Sequence, residues 1–196
     1  MKISFKLFSV CIVFFASLNA GATKMAPISL EELLRDSSVV SIVNIKQAGI
    51  SANKYQIIHS GEEKFYLNYV ATIVDSIKGS DAGKTIEFSS REPLLISREY
   101  FVFLISSNPG ELMVAQAGYA AFEKAYISVD SGIKEGLRIP SSFISLPKNL
   151  ATIPDVTKLN EQSSYVWVEW LPFKQWQIKH LGASVTENKV HPAAQK

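Results

Sequence analysis

The sequence predicts a mainly β domain, a small barrel or sandwich, with one short helix near its N-terminus and one near its C-terminus. Three observations carry that expectation. Most of the chain beyond residue 38 is cut into short runs of β-branched and aromatic residues, separated by glycine, proline and asparagine turn signals. Helical spacing of apolar residues appears only near the two ends. One run, Phe65 to Ile77, is too long to lie flat. Thirteen residues at about 3.3 Å each span about 43 Å, so such a strand bends, coils or bulges as strands of small barrels do.

Residues 1–22 have the layout of a cleaved export signal. Lys2 and Lys6 open it, Leu7 to Ala16 are almost wholly apolar, and Ala20-Gly21-Ala22 offers a small-x-small cleavage pattern, cut after Ala20 or Ala22. The apolar run falls short of the roughly 20 residues that span a bilayer, so no stable membrane insertion is expected once it is removed. The one cysteine, Cys11, lies inside this segment; Phe8 and Val10 stand where a lipid-anchor site needs other residues. The mature chain then has no thiol and must rely on its core, which points to a bacterial cell envelope, in the periplasm or outside the cell. We expect a single β-rich domain over residues 23–182 and a flexible tail over 183–196. Cleavage removes two lysines and no acid, so 20 basic and 18 acidic residues become 18 and 18. A formally neutral chain is no partner for nucleic acid.

Each element has a local reason. Ser29 followed by Glu32 is a capping box, and Leu30, Leu33 and Leu34 share one helical face. VVSIVNI (39–45) is apolar on both faces, as a central strand is. In FYLNYVATIVDSI (65–77), Phe65, Leu67, Tyr69, Ala71, Ile73 and Ile77 line one side. TIEFS (85–89) alternates, with Ile86 and Phe88 inward, and EYFVFLI (99–105) is apolar on both faces. SNPG (107–110) is turn chemistry; LMVAQ, FEKAYISV and GLRIP read as further strands, the last two joined by the hairpin turn DSG (130–132). SFISL (142–146) and YVWVEW (165–170) complete the strands. A helix then starts with Pro172 at its first position and stops at Gly182, with Lys179 and His180 in its last turn.

KGSDAGKT (78–85) resembles a phosphate-binding loop but does not qualify as one. Three residues, not four, separate Gly79 from Gly83-Lys84, and a β-alternating segment follows where a helix is required. Asp81 also places a carboxylate where anions are to be held. The stretch reads instead as a connection between two strands, and Lys84 as a solvated lysine. Lys78-Gly79, Gly83 with Ile86 and Phe88, and Tyr100 with Phe103-Leu104 together resemble the OB-like barrel of netrin-like modules and tissue inhibitors of metalloproteinases, over roughly residues 37–105. The resemblance implies an OB-like (netrin-like) barrel. Metalloprotease inhibition does not carry over, because the mature chain lacks the N-terminal cysteine and the disulfides of that family.

No constellation in the sequence carries catalysis. His59, His180 and His191 have no metal-ligand spacing; Glu31-Glu32 and Glu62-Glu63 diverge as neighbours; no serine sits in a nucleophile elbow. No cofactor or metal is expected. The densest unusual feature is YVWVEWLPFKQW (165–176). Tyr165, Trp167 and Glu169 face one way on a strand, and Val166, Val168 and Trp170 the other. Tyr165, Trp167 and Trp170 are therefore the candidate ligand-binding residues, against the alternative that the strand and helix clamp the barrel. The expected function is a non-enzymatic, exported binding module for an envelope protein. The alternatives are a glycan-binding module using the 165–176 strip, and an envelope hydrolase whose site forms only in three dimensions.

Overall fold

The computed structural model describes residues 26–57, 60–150, 152–153 and 165–187. The signal segment, His59, His191 and Pro154 lie outside them. In chain order the elements are β1 (Ile28–Ser29), α1 (Leu30–Asp36), β2 (Val39–Gln56), β3 (Glu63–Lys78), β4 (Thr85–Ser90), β5 (Glu99–Asn108) and β6 (Glu111–Val114). Then come β7 (Ala121–Val129), β8 (Gly132–Pro140), β9 (Ile144–Ser145), β10 (Tyr165–Glu169) and α2 (Trp170–Glu187).

Five strands close a barrel in the order β2-β3-β4-β6-β5. β2 is antiparallel to both β3 and β5, β3 to β4, and β5 to β6, while β4 and β6 meet in parallel. This is an OB-like barrel. Closure is tight on most sides and thin on one: the β4–β6 seam has a single register pair, Ser89 with Met113. An annex extends from β5. The edge whose later part, Leu104–Asn108, binds β6 binds β7 over Glu99–Val102, and the sheet continues to β8 and β10.

The two strands that read as apolar on both faces are the central ones. Val39, Val40, Ile42, Val43 and Ile45 of β2 are buried, as are Tyr100 through Leu104 of β5. β3 bends as its length demands: its register with β2 shifts at four places. Beyond Ile45 and below Leu67 the two strands rise past the core as an arm, where Ile50 and Phe65 are exposed. β2 thus outruns the expected strand, because β3 supplies a partner for its polar half.

Aromatic side chains join barrel, annex and α2. Phe101 packs edge-on against Phe103 and Phe173 and against Trp170, with ring centroids 5.1, 5.1 and 5.7 Å away. A buried aromatic removes about 150–250 Å² from water, a gross gain of about 4–6 kcal/mol before entropy is counted. α2 lays Trp170, Phe173 and Trp176 onto this cluster, and Lys174 pairs with Asp75 of β3. α1 is capped at both ends. The Ser29 hydroxyl accepts from the Glu32 amide at 3.1 Å, and the Glu32 carboxylate accepts from the Ser29 amide at 3.0 Å. Those bonds hold the Glu32 carboxyl below its ordinary value, the backbone bond foremost. Lys78 Nζ donates to the Leu34 and Arg35 carbonyls at the other end, both at 3.0 Å.

Other boundaries also differ from the sequence reading: the strand read at 136–140 already begins at Gly132. α2 begins at Trp170 and runs through Gly182 to Glu187, so the expected tail from residue 183 starts as helix. Pro172 is third in the helix, where its missing N–H is still one of the orphan donors, and an interior glycine costs only about 1 kcal/mol. SFISL shrinks to Ile144–Ser145, paired in parallel with β1, because no other described strand lies beside it.

KGSDAGKT forms the β3–β4 connection. Two of its amides are bonded within the chain: Gly83 N donates to the Ile73 carbonyl at 2.7 Å and Lys84 N to the Asp81 carbonyl at 3.4 Å. Lys84 Nζ pairs with the Asp81 carboxylate at 2.5 Å in an exposed ion pair.

Candidate functional site

A cleft of about 680 Å³ lies on the outer face of β3 and β4. Strand alternation turns Tyr69, Ala71 and Phe88 inward and leaves Tyr66, Asn68, Val70, Glu87 and Ser89 outward. The ladder sets Val70 opposite Glu87 and Asn68 opposite Ser89. The next step along this face brings Tyr66 to Arg91, whose Nη2 donates to the Tyr66 hydroxyl at 3.2 Å. One wall is the β2–β3 arm, through Gln47, Ser51 and Asn53; the other is the β5–β6 hairpin, through Asn108 and Glu111. The cleft lies where the barrel seam is thinnest.

Under the floor, the Tyr69 hydroxyl accepts from the Leu94 amide at 2.8 Å, and burial pushes its phenol pKa up. This bond ties the loop after β4 to the sheet. The turn carrying Arg91 is fixed from below. The Ser90 hydroxyl accepts from the Glu92 amide at 3.1 Å, and Gly118, at φ +98°, approaches so closely that a Cβ there would lie 2.8 Å from Glu92 N. Burial, with Glu92 beside it, raises the Tyr119 phenol next to this turn. The Arg91 guanidinium lies over Tyr55 at 4.7 Å and near Tyr66 at 5.6 Å, and those two rings contact each other at 4.9 Å.

The polar lining is largely unspent. The side chains of Gln47, Asn68 and Glu87 have no hydrogen bond or ion pair among the described residues. Asn108 is bonded to Glu111 at 2.7 Å, and Lys54 is paired with Glu63 at 3.0 Å on the arm. Free amides offer a donor and an acceptor together, which suits ligands presenting both.

The sequence candidates fall elsewhere. Trp170 is only 8% exposed and packs into the core, as do Phe173 and Trp176. Tyr165 and Trp167 share the opposite face of β10; Tyr165 is 37% exposed, with the Arg138 guanidinium 4.1 Å from its ring centre. The structure therefore groups Tyr165 with Trp167 and separates both from Trp170. His180 stacks on Trp176 at 4.1 Å, its Nδ1 2.8 Å from the Trp176 carbonyl. Among the described residues, no three His, Cys, Asp or Glu side chains are grouped to hold a metal, and no helix is long and apolar enough to cross a membrane. The cleft residues drew no notice in the sequence; the one available signal was Arg91, a charged residue directly after an alternating strand.

No protein-family model, curated protein or solved structure matches this chain.

Proposed function

We propose that the chain is an exported binding module of the bacterial cell envelope, acting in the periplasm or outside the cell, and that it holds an extended segment of a partner protein in the cleft over β3 and β4. One observation carries this reading: a 680 Å³ cleft, walled by two hairpins, whose lining includes the amides of Gln47 and Asn68 and the carboxylate of Glu87 with no partner among the described residues. A sheet face flanked by hairpins suits an extended ligand, whose own amides match free Asn and Gln side chains. Export follows from the sequence of residues 1–22.

Site-specific photo-crosslinking in the native envelope tests it. A photoreactive residue at Asn68 should yield a discrete adduct that one at Ile133, exposed on the β7–β8 hairpin outside the cleft, does not. Equal adducts at both positions, or none at Asn68 while a control complex is captured, would count against the reading. Mass spectrometry of the recovered protein should show an N-terminus at Gly21 or Thr23.

A second reading has one observation in its favour: Tyr165 and Trp167 lie together on one face of β10, with Tyr165 more than a third exposed. It makes the chain a glycan-binding module. Quenching of tryptophan emission by soluble oligosaccharides, lost in Trp167→Ala, would support it over the cleft.

A further inference from the structure

Resting on the cleft reading, we infer that the cleft selects its peptide by charge at two points. Arg91, at the margin of the cleft where it bonds the lining residue Tyr66, takes an acidic side chain of the bound segment, and Glu87, in the lining, takes a basic one four residues away.

Arg91 is a receptor in waiting. A guanidinium stays charged throughout the accessible pH range, and its fork matches a carboxylate in two parallel bonds. Here it is half-buried and forms no ion pair with any described acid. Its Nη2 donates to the Tyr66 hydroxyl, and its Nε is buried with no partner. The rings of Tyr55 and Tyr66 lie against the guanidinium and hold it in place, while its Nη1 has no partner among the described residues. A side chain so positioned loses little freedom when a carboxylate binds.

Glu87 is its counterpart. It is exposed, lines the same cleft and has no partner of its own among the described residues. It precedes Arg91 by four residues; strand alternation turns Glu87 outward, and Arg91, the first residue beyond β4, reaches the same face through its bond to Tyr66. At about 3.3 Å per residue the two backbone positions stand at most about 13 Å apart. An extended peptide has the same repeat, so its residues i and i+4 meet the two groups. Asn68 and Ser89 fill the interval with groups that can bond its backbone.

The same inventory disfavours a polyanion. The cleft lining carries the carboxylates of Glu87 and Glu111, and its lining cation, Lys54, is already paired with Glu63, which leaves Arg91 at the margin to meet an anionic group. A nucleic acid needs rows of free cations, whereas one anionic group at Arg91 meets no such demand.

Two nine-residue peptides and one oligosaccharide test this on the purified protein by NMR titration. The first is a capped Thr/Val peptide with glutamate third and lysine seventh; the second has glutamine at both places; the third probe is maltohexaose. The charged peptide should shift amides of Asn68, Ser89 and Arg91 and bind about fivefold tighter than the glutamine peptide, with the advantage shrinking at high salt. Arg91→Gln should bring that advantage below about twofold. Glu87→Gln, at an exposed position, should lower it in part and guards against the objection that the arginine variant is misfolded. Equal binding of both peptides overturns the charge inference and leaves the peptide cleft standing. Shifts from maltohexaose alone, or from no probe, overturn both.

Discussion

Gly79 and Gly83 lie four residues apart in the β3–β4 connection, and the structure gives them different sensitivities. Both have positive φ, +73° and +83°, where an L side chain costs about 1–2 kcal/mol. At Gly83 a Cβ would meet nothing within 4 Å, so Gly83→Ala should cost only that amount. At Gly79 a Cβ would overlap the Ser38 carbonyl oxygen and lie 3.1 Å from the Ser38 carbon. Both are backbone atoms, and Ser38 is anchored because its own amide donates to the Leu104 carbonyl at 2.8 Å. Relief requires the backbone to move, which adds about 1–3 kcal/mol as overpacking does, for a total of about 2–5 kcal/mol. Urea unfolding followed by tryptophan emission measures the pair, with an unchanged slope confirming that only stability has moved. Lys84→Ala should leave the midpoint within error, since its ion pair with Asp81 is exposed. A Gly79→Ala variant no less stable than Gly83→Ala would refute the packing argument. So would a large loss from Lys84→Ala.

Tyr69→Phe removes the acceptor of the Leu94 amide and should cost about 1–2 kcal/mol in the same assay, with faster hydrogen exchange at that amide. Trp170→Ala opens a hole between Phe101 and Phe173 and should cost about 3–5 kcal/mol, whereas Trp167→Ala should cost markedly less. Stability should fall on the alkaline side. Burial lowers the Lys124 pKa, but its bonds to Glu135 and Glu99 outweigh that and leave it raised; burial raises the Tyr69 and Tyr100 phenols. All three hold protons more tightly folded than unfolded, so their contribution is complete below the ordinary values of 10.5 and 10.0 and is lost as pH climbs through the folded ones. Urea midpoints should drop above about pH 10, and less so in Lys124→Met.

What could be read in the sequence was what neighbours decide. The Ser29–Glu32 box needs only spacing, and the doubly apolar runs at 39–45 and 99–105 announce central strands because burial on both faces removes alternation. Turn residues at Pro109-Gly110 and Asp130-Ser131 also stood where the chain reverses. The cleft was invisible for the opposite reason. Tyr66 and Glu87 are ordinary residues on two strands and Arg91 one in the turn after the second, and only the β3–β4 register and a turn braced by Gly118 bring them together. The aromatic run at 165–176 drew attention by density, yet most of its area closes the core: Trp170, Phe173 and Trp176 are buried. Composition records how much aromatic surface a segment has, while topology decides which way it points.

The shared edge of β5 has a mechanical consequence. One edge of that strand carries β2 while the other is divided end to end, Glu99–Val102 holding the annex and Leu104–Asn108 closing the barrel. Neither part can be peeled away without disturbing the stave on which the other hangs. Along the sheet the annex meets the barrel through β5, while α2 is fastened to β3 directly by Lys174 and Asp75, so the two halves are held at two separate places.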